Sequence, residues 1–136
     1  MTENNFYFKK NILITGGTKG IGLATVKKFI NLNANIIYTF TQEDKSYFLL
    51  KELEKVHQNK IIGIRHNSTD YSKNKLFLKK IEKHFKKLDF LINNVGGPIK
   101  RSKFLKSNNQ LRLDTLDLNL ISTVNCINLV YHLLKK

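Results

Sequence analysis

Four glycines lie within seven residues near the start of the chain, where Thr15–Gly22 reads T-G-G-T-K-G-I-G. This segment follows the apolar run Ile12–Ile14, and after it apolar residues recur at helical spacing, at Ile21, Leu23, Val26 and Ile30. Glycine lets the backbone turn tightly and lets a ligand approach it. A helix that begins at such a turn offers unpaired amides and the positive end of its dipole to an anion. A strand, a glycine turn and a helix therefore predict a pyrophosphate site of the kind that binds dinucleotides.

A second segment with binding chemistry, Leu88–Gly97, reads L-D-F-L-I-N-N-V-G-G. Its apolar residues predict a strand, and Asn93 and Asn94 follow directly. Their side-chain amides can both donate and accept hydrogen bonds, so they can bind backbone groups and a ribose. The carboxyl ends of parallel strands meet at one edge of a sheet, where such folds bind their ligands. We therefore expect this segment to border the same crevice as the glycine turn.

The order and spacing of the two segments resemble those of the short-chain dehydrogenase/reductase family. That family has T-G-x-x-x-G-I-G after its first strand and, later, a strand that ends in N-N-x-G. Asp70 in the loop after the third predicted strand and Asn119 in the run D-L-N-L-I-S also match, and the resemblance covers residues 9–136. It implies a Rossmann-type doubly wound parallel sheet, a nicotinamide dinucleotide, and hydride transfer between a carbonyl and an alcohol.

The resemblance also implies which residues bind the dinucleotide. They lie in the glycine segment, at the end of the second predicted strand, after the third strand and in N-N-V-G. The predicted cofactor-binding residues are Gly16, Thr18, Lys19, Gly20, Ile21, Gly22, Thr41, Asn67, Asn93, Val95 and Gly96. Asn67 departs from the family, which commonly has an aspartate in contact with adenine at that position.

The end of the second predicted strand bears on the choice of cofactor. In dinucleotide folds an acidic residue there binds the ribose 2′-hydroxyl of NAD, whereas basic residues accommodate the 2′-phosphate of NADP. This chain has Phe40 and Thr41 at that place. Lys19 could reach a 2′-phosphate, with Lys45 as a more distant second, so we predict NADP in preference to NAD. Neutral hydrogen bonds are expected from Thr18, Thr41 and Gln42.

The family's catalytic pair, Tyr-x-x-x-Lys, follows a fifth strand and a serine, and its tyrosine exchanges a proton with the carbonyl oxygen. The pattern occurs here at Tyr47/Lys51, Tyr71/Lys75 and Tyr131/Lys135. The first two pairs precede the N-N-V-G strand, and no fifth strand precedes the third. We therefore expect none of them to be catalytic and Tyr131 to be a packing residue.

Asn119 is the one remaining candidate for a catalytic role. Its family counterpart joins the proton relay by holding a water near the lysine. Without that lysine its role is at most vestigial, and an ordinary helical asparagine explains the residue equally well. The chain ends at Lys136. The resemblance thus implies one cofactor-binding domain, residues 1–136, incomplete at its C-terminus and inactive alone.

Composition leaves two other functions open. The formal net charge is +14, which raises nucleic acid as a partner. However, the lysines are scattered along predicted helices, so a solvated surface is favoured. The other alternative is a noncatalytic NADP(H)-binding or regulatory subunit.

A single cysteine and the lack of a signal or membrane-spanning segment predict a cytoplasmic protein. The four histidines lack ligand spacing, so we predict no metal site.

Apolar runs and glycines predict alternating strands and helices. The strands are placed at 10–15, 35–40, 60–66 and 88–93, and the helices at 20–32, 45–57, 71–86 and 108–134. Right-handed crossovers and the resemblance give the strand order 3-2-1-4.

The predicted fourth strand and last helix both present more apolar surface than this sheet can cover. The strand is apolar on both faces although it lies at an edge. The helix carries one apolar stripe and further apolar residues that broaden it toward a second face. The stripe consists of Leu113, Leu116, Leu120, Val124, Ile127, Tyr131 and Leu134, and the second face of Leu118, Ile121, Leu129 and Leu133. The bare side is expected to be covered by a second copy of the chain or by another polypeptide, or to stay uncovered in a poorly stable fragment.

Overall fold

A computed structural model describes residues 6–57, 60–100 and 106–134 of the chain. Its sheet consists of four parallel strands, β1 (Asn11–Ile14), β2 (Asn35–Phe40), β3 (Ile61–Arg65) and β4 (Phe90–Ile92). The strand order β3-β2-β1-β4 confirms the predicted order of a Rossmann-like α/β fold.

Helices connect the strands, as the alternating pattern predicts. They are α1 (Gly20–Asn31), α2 (Lys45–Val56), α3 (Asn74–His84), α4 (Asn109–Leu116) and α5 (Ser122–Leu134). A 3₁₀ turn, Tyr71–Lys73, precedes α3, and a π-helical segment, Asp117–Ile121, joins α4 to α5. The helix predicted over 108–134 is therefore interrupted by one wider turn, a feature frequent at functional sites.

Helices cover both faces of the sheet, which explains why the strands are apolar on both sides. Ile12, Leu13 and Ile14 are fully buried. On one face, Ile12 and Ile14 pack with residues of α1 and α2, including Val26 and Leu50, in one apolar cluster. On the other, Leu13 packs with residues of α3 and α5, listed here as Phe77, Ile81, Val130 and Leu133. Each such side chain contributes about 1.5–3 kcal/mol when buried.

The long helical arm formed by α4, the π segment and α5 is covered on one side only. Val130 and Leu133 pack on the sheet. The opposite side is a row of large side chains that are 40–59% exposed, and we call it the apolar stripe: Leu113, Leu116, Leu120, Val124, Ile127 and Tyr131. Tyr131, expected to be a packing residue, is 52% exposed and lies in this stripe.

Candidate functional site

A cleft of about 320 Å³ opens where the four strands end, at the edge predicted to bind a ligand. Its volume lies at the lower end of the range of small-molecule sites, roughly 300–1,000 Å³. The lining residues come from the glycine turn, the end of β2, the loop after β3, the loop after β4 and the π segment. They are Gly16, Thr18, Lys19, Thr39, Phe40, Thr41, Gln42, His66, Asn67, Ser68, Asn94, Val95, Gly96 and Leu118.

The glycine turn leaves the start of α1 without a side-chain cap. Lys19 occupies the N-cap position, its side chain accepts no bond from the first turn, and that turn contains no acidic residue. The helix amides and dipole are therefore unopposed by a protein anion, which favours a ligand anion. Gly22 lies so close to the turn that a Cβ atom built on it would be 2.1 Å from the Gly16 carbonyl oxygen. Only glycine at this position lets the helix approach the turn so closely.

Asn94 fastens the glycine turn to the end of β4. Its Nδ2 donates to the carbonyl oxygens of Thr15, at 3.0 Å, and Gly16, at 3.1 Å. In return, the Thr15 hydroxyl oxygen accepts from the backbone amides of Asn94, at 3.0 Å, and Val95, at 3.1 Å. Four hydrogen bonds thus hold two segments of the cleft in a fixed relation. We infer that Asn94 shapes the site rather than reaching into it as a free amide.

Charged groups meet at the end of the cleft formed by β2 and β3. The Lys19 ammonium lies 3.5 Å from the Asp44 carboxylate and 3.5 Å from Gln42 Oε1. Asp44 also caps α2, because its Oδ1 accepts from the backbone amides of Ser46 and Tyr47 at 3.1 Å. Arg65, the last residue of β3, donates from Nε to the Thr41 carbonyl oxygen at 3.2 Å. Two cations and a carboxylate therefore surround the place where β2 ends.

His66 forms part of the wall of the cleft. The residue is 9% exposed, and its ring stacks on Phe77 with 3.9 Å between ring centroids and 6° between planes. Burial lowers the pKa of His66 below its ordinary value, so the imidazole is neutral at pH 7. A neutral ring in this wall adds no charge to the site.

Asn119 lies in the π segment and holds the loop that follows β4. Its Oδ1 accepts from the Gly97 amide at 2.8 Å, and its Nδ2 donates to the carbonyl oxygens of Gly97, at 3.0 Å, and Thr115, at 2.7 Å. Its side chain is thus fully engaged with the backbone, whereas the adjacent Leu118 lines the cleft. In this structure Asn119 has a positioning contact and no proton-transfer partner among the described residues.

A family model of the short chain dehydrogenases matches residues 10–136. The chain belongs to this family. One relative is the dehydrogenase/reductase SDR family protein 7-like of Dictyostelium discoideum, 29% identical over 96% of this chain and 43% of its own length. Another is a 3alpha-hydroxysteroid dehydrogenase of Mediterraneibacter gnavus, 27% identical over 93% of this chain and 51% of its own length.

Solved structures of short-chain dehydrogenases have the same fold. The NADH-dependent reductase A1-R', complexed with NAD, superposes with a TM-score of 0.82 at 25% identity, over 97% of this chain and 55% of the other. The chain spans about half the length of the curated relatives that it matches.

The cleft brings together most of the residues predicted to bind the cofactor. Those that line it are Gly16, Thr18, Lys19, Thr41, Asn67, Val95 and Gly96. Gly20, Ile21, Gly22 and Asn93 lie outside the lining, and Ile21 is 80% exposed. Asn67 Oδ1 is already engaged, since it accepts from the backbone amide of Thr69 at 3.2 Å.

Several residues at the cleft were not predicted to bind the cofactor. They are Thr39, Phe40, His66, Ser68 and Leu118 in the lining, with Asp44 and Arg65 at its rim. His66 had a detectable signal, since it continues the alternate apolar positions Ile62 and Ile64 of β3. Asp44 and Arg65 had none, because their contacts depend on turn geometry and on strand register.

The described residues 6–57, 60–100 and 106–134 contain no group of three or more His, Cys, Asp or Glu side chains that could hold a metal ion. Over the same ranges, no helix combines the length and the apolar character needed to cross a bilayer.

Proposed function

We propose that this chain is the NADP(H)-binding part of a short-chain reductase that transfers hydride between a carbonyl and an alcohol. The observation that carries the proposal is the uncapped start of α1 at the glycine turn, whose Gly16, Thr18 and Lys19 line the cleft. NADP is preferred because Phe40 and Thr41, not an acidic residue, stand where β2 ends, and because Lys19 lines the cleft. The related reductase A1-R' is complexed with NAD, which is a property of that protein. The choice of NADP for this chain rests on its own residues.

Each part of the cleft has a task in cofactor binding. The amides at the start of α1 bind the pyrophosphate, and Asn94 keeps the glycine turn in the shape that exposes them. Asn119 holds the backbone at Gly97, beside the end of the cleft away from β3. When bound, the nicotinamide supplies or accepts the hydride. One domain over residues 1–136 and a cytoplasmic location belong to the same proposal.

Catalysis is not assigned to the tyrosines of this chain. The Tyr71 hydroxyl donates to Asp117 Oδ1 at 2.6 Å, and Tyr131 belongs to the apolar stripe. Lys135, its partner in the sequence pattern, lies outside the described residues. We therefore propose that the 136-residue chain binds NADPH without reducing carbonyls by itself. A noncatalytic binding subunit shares these properties, whereas a nucleic-acid function gains no support from the cleft.

Fluorescence titration of the isolated chain with NADPH tests the proposal. We expect saturable binding that Gly16→Asp abolishes, because a carboxylate there would meet the pyrophosphate. No oxidation of NADPH is expected with a panel of ketones and aldehydes. Absence of NADPH and NADH binding by a folded chain would refute the binding function. Turnover that Tyr131→Phe abolishes would refute the assignment of Tyr131 as noncatalytic.

We also propose that the apolar stripe is covered in the assembled protein, either by a second copy or by a further polypeptide. Exposed apolar rows of this length mark interaction surfaces. Sedimentation velocity at increasing concentration is expected to show a dimer, and Leu120→Glu is expected to shift it to monomer by placing a charge in the row. A wild-type chain that stays monomeric would contradict the second copy.

A further inference from the structure

Arg65 lies at the place where a dinucleotide fold meets the adenosine ribose, although it is not in the glycine turn or on β2. The parallel register pairs Arg65 with Phe40, the last residue of β2. Its Nε donates to the Thr41 carbonyl oxygen at 3.2 Å, so the guanidinium group lies beside the peptide that follows the strand. The side chain is exposed. A ligand group at the end of β2 can therefore meet it directly.

The charges at this rim favour Arg65 over Lys19 as the partner of an added anion. The Lys19 ammonium is already compensated by the Asp44 carboxylate at 3.5 Å. Asp44 cannot move away freely, because it caps α2. Arg65 is bound to a neutral carbonyl group, and no carboxylate of the described residues forms an ion pair with it. The positive charge of Arg65 is thus less compensated than that of Lys19. Exposed Glu43, two residues after Thr41, adds negative charge that an incoming phosphate must overcome.

The guanidinium group has donors to spare. It carries five N–H groups, of which the Nε–H is engaged with Thr41, and the two terminal amino groups remain to form the paired hydrogen bonds that suit a phosphate. We propose that Arg65 recognises the 2′-phosphate of NADP(H) and sets the preference for NADP over NAD, with Lys19 in a lesser role. This inference rests on the proposed function, in which the cleft binds a nicotinamide dinucleotide.

Dissociation constants of NADPH and NADH for the wild type, Arg65→Gln and Arg65→Lys test the inference. Arg65→Gln is expected to weaken NADPH binding by about 10- to 100-fold, the usual effect of losing hydrogen bonds to a charged group. NADH binding should change by less than about threefold, because it has no 2′-phosphate. Arg65→Lys, which keeps the charge and loses the paired geometry, should fall between. Lys19→Gln is expected to have a smaller effect than Arg65→Gln.

Lys60→Gln is the matched control, since it removes one positive charge just before β3, at the opposite end from Arg65. Five residues of strand separate the two positions by about 16 Å, beyond the screening length at physiological salt. It should leave the ratio of NADPH to NADH affinity unchanged. As an independent probe, 2′,5′-ADP should bind more tightly than 5′-AMP to the wild type, and by a much smaller margin to Arg65→Gln.

The outcomes separate this inference from the proposed function. Equal losses of NADPH and NADH affinity in Arg65→Gln would show that Arg65 only holds Thr41, and would overturn the inference. An unchanged affinity ratio in a folded Arg65→Gln variant would overturn it as well. If the wild type binds neither dinucleotide, the proposed function fails first and the inference falls with it.

Discussion

Gly22→Ala is expected to abolish NADPH binding and to destabilise the fold. The added Cβ would lie 2.1 Å from the Gly16 carbonyl oxygen and 2.5 Å from Asn94 Nδ2. Neither atom can give way easily, because Asn94 Nδ2 is itself bonded to that carbonyl oxygen. The start of α1 must therefore move away from the turn, which disrupts the arrangement of amides proposed to bind the pyrophosphate. Overpacking of this kind costs about 1–3 kcal/mol of unfolding free energy, and occasionally more.

Two further variants separate the clash from other effects, with thermal unfolding and NADPH titration as measurements. Gly20→Ala places its Cβ in open space, but at a φ of +49°. This substitution should therefore lower the unfolding free energy only by the cost of a left-handed backbone conformation, about 1–2 kcal/mol. Lys27→Ala changes an exposed residue of α1 and should leave both measurements near the wild-type values. If Gly22→Ala binds NADPH as the wild type does, the close approach of α1 to the turn is not required for the site.

Asn94→Asp is expected to be the most damaging of the near-isosteric substitutions at the cleft. The aspartate has no N–H with which to bond the carbonyl oxygens of Thr15 and Gly16, and its own oxygen would face theirs. Each partly buried acceptor left without a partner costs about 1–3 kcal/mol, so we expect a loss of about 2–4 kcal/mol in unfolding free energy. NADPH affinity should fall as well, since the glycine turn loses its connection to β4. Urea unfolding at pH 7 measures the stability.

Asn93→Asp is the matched control, because it makes the same chemical change one residue earlier. The Asn93 side chain forms no hydrogen bond with the described residues, so its substitution should change stability by about 0.5 kcal/mol or less. The pH dependence gives a second check. A protonated carboxyl group at position 94 can donate to the carbonyl oxygens, so the folded state should raise the pKa of this group. The loss in unfolding free energy caused by Asn94→Asp should therefore shrink as the pH falls. Equal losses in the two variants would contradict the proposed role of Asn94.

The sequence was sufficient to predict the strand order and the edge of the sheet where the cleft lies. Continuous apolar runs located the buried strands, whereas their order came from right-handed crossovers together with the family resemblance. The charged rim could not be predicted in the same way. Arg65 and Thr41 meet only because β2 and β3 pair in one particular register. Asp44 reaches Lys19 only because the turn before α2 bends back toward the glycine segment.

The helical arm shows a second limit of sequence interpretation. Its apolar positions predicted a helix with two apolar faces, and the structure does cover one face and expose the other. Nothing in the spacing distinguished which of the two faces would meet the sheet. The π segment had no local signal either, because a single wider turn does not change residue types. In the structure this segment carries Asn119, whose side chain holds the backbone of Gly97.

The pairing of β1 with β4 has a consequence for the order of folding. β1 can pair with β2 soon after both are made, since Ile12 lies opposite Ile36, whereas its pairing with β4 joins Ile12 to Phe90. Closing the longer loop costs more chain entropy, so the β4 edge of the sheet forms late. The bonds from Asn94 to the glycine turn span 78 and 79 residues of sequence, and they form together with the pairing of β1 and β4. The cleft therefore acquires its final shape only when β4 docks, and the first ability to bind a dinucleotide would report the completion of the sheet during refolding.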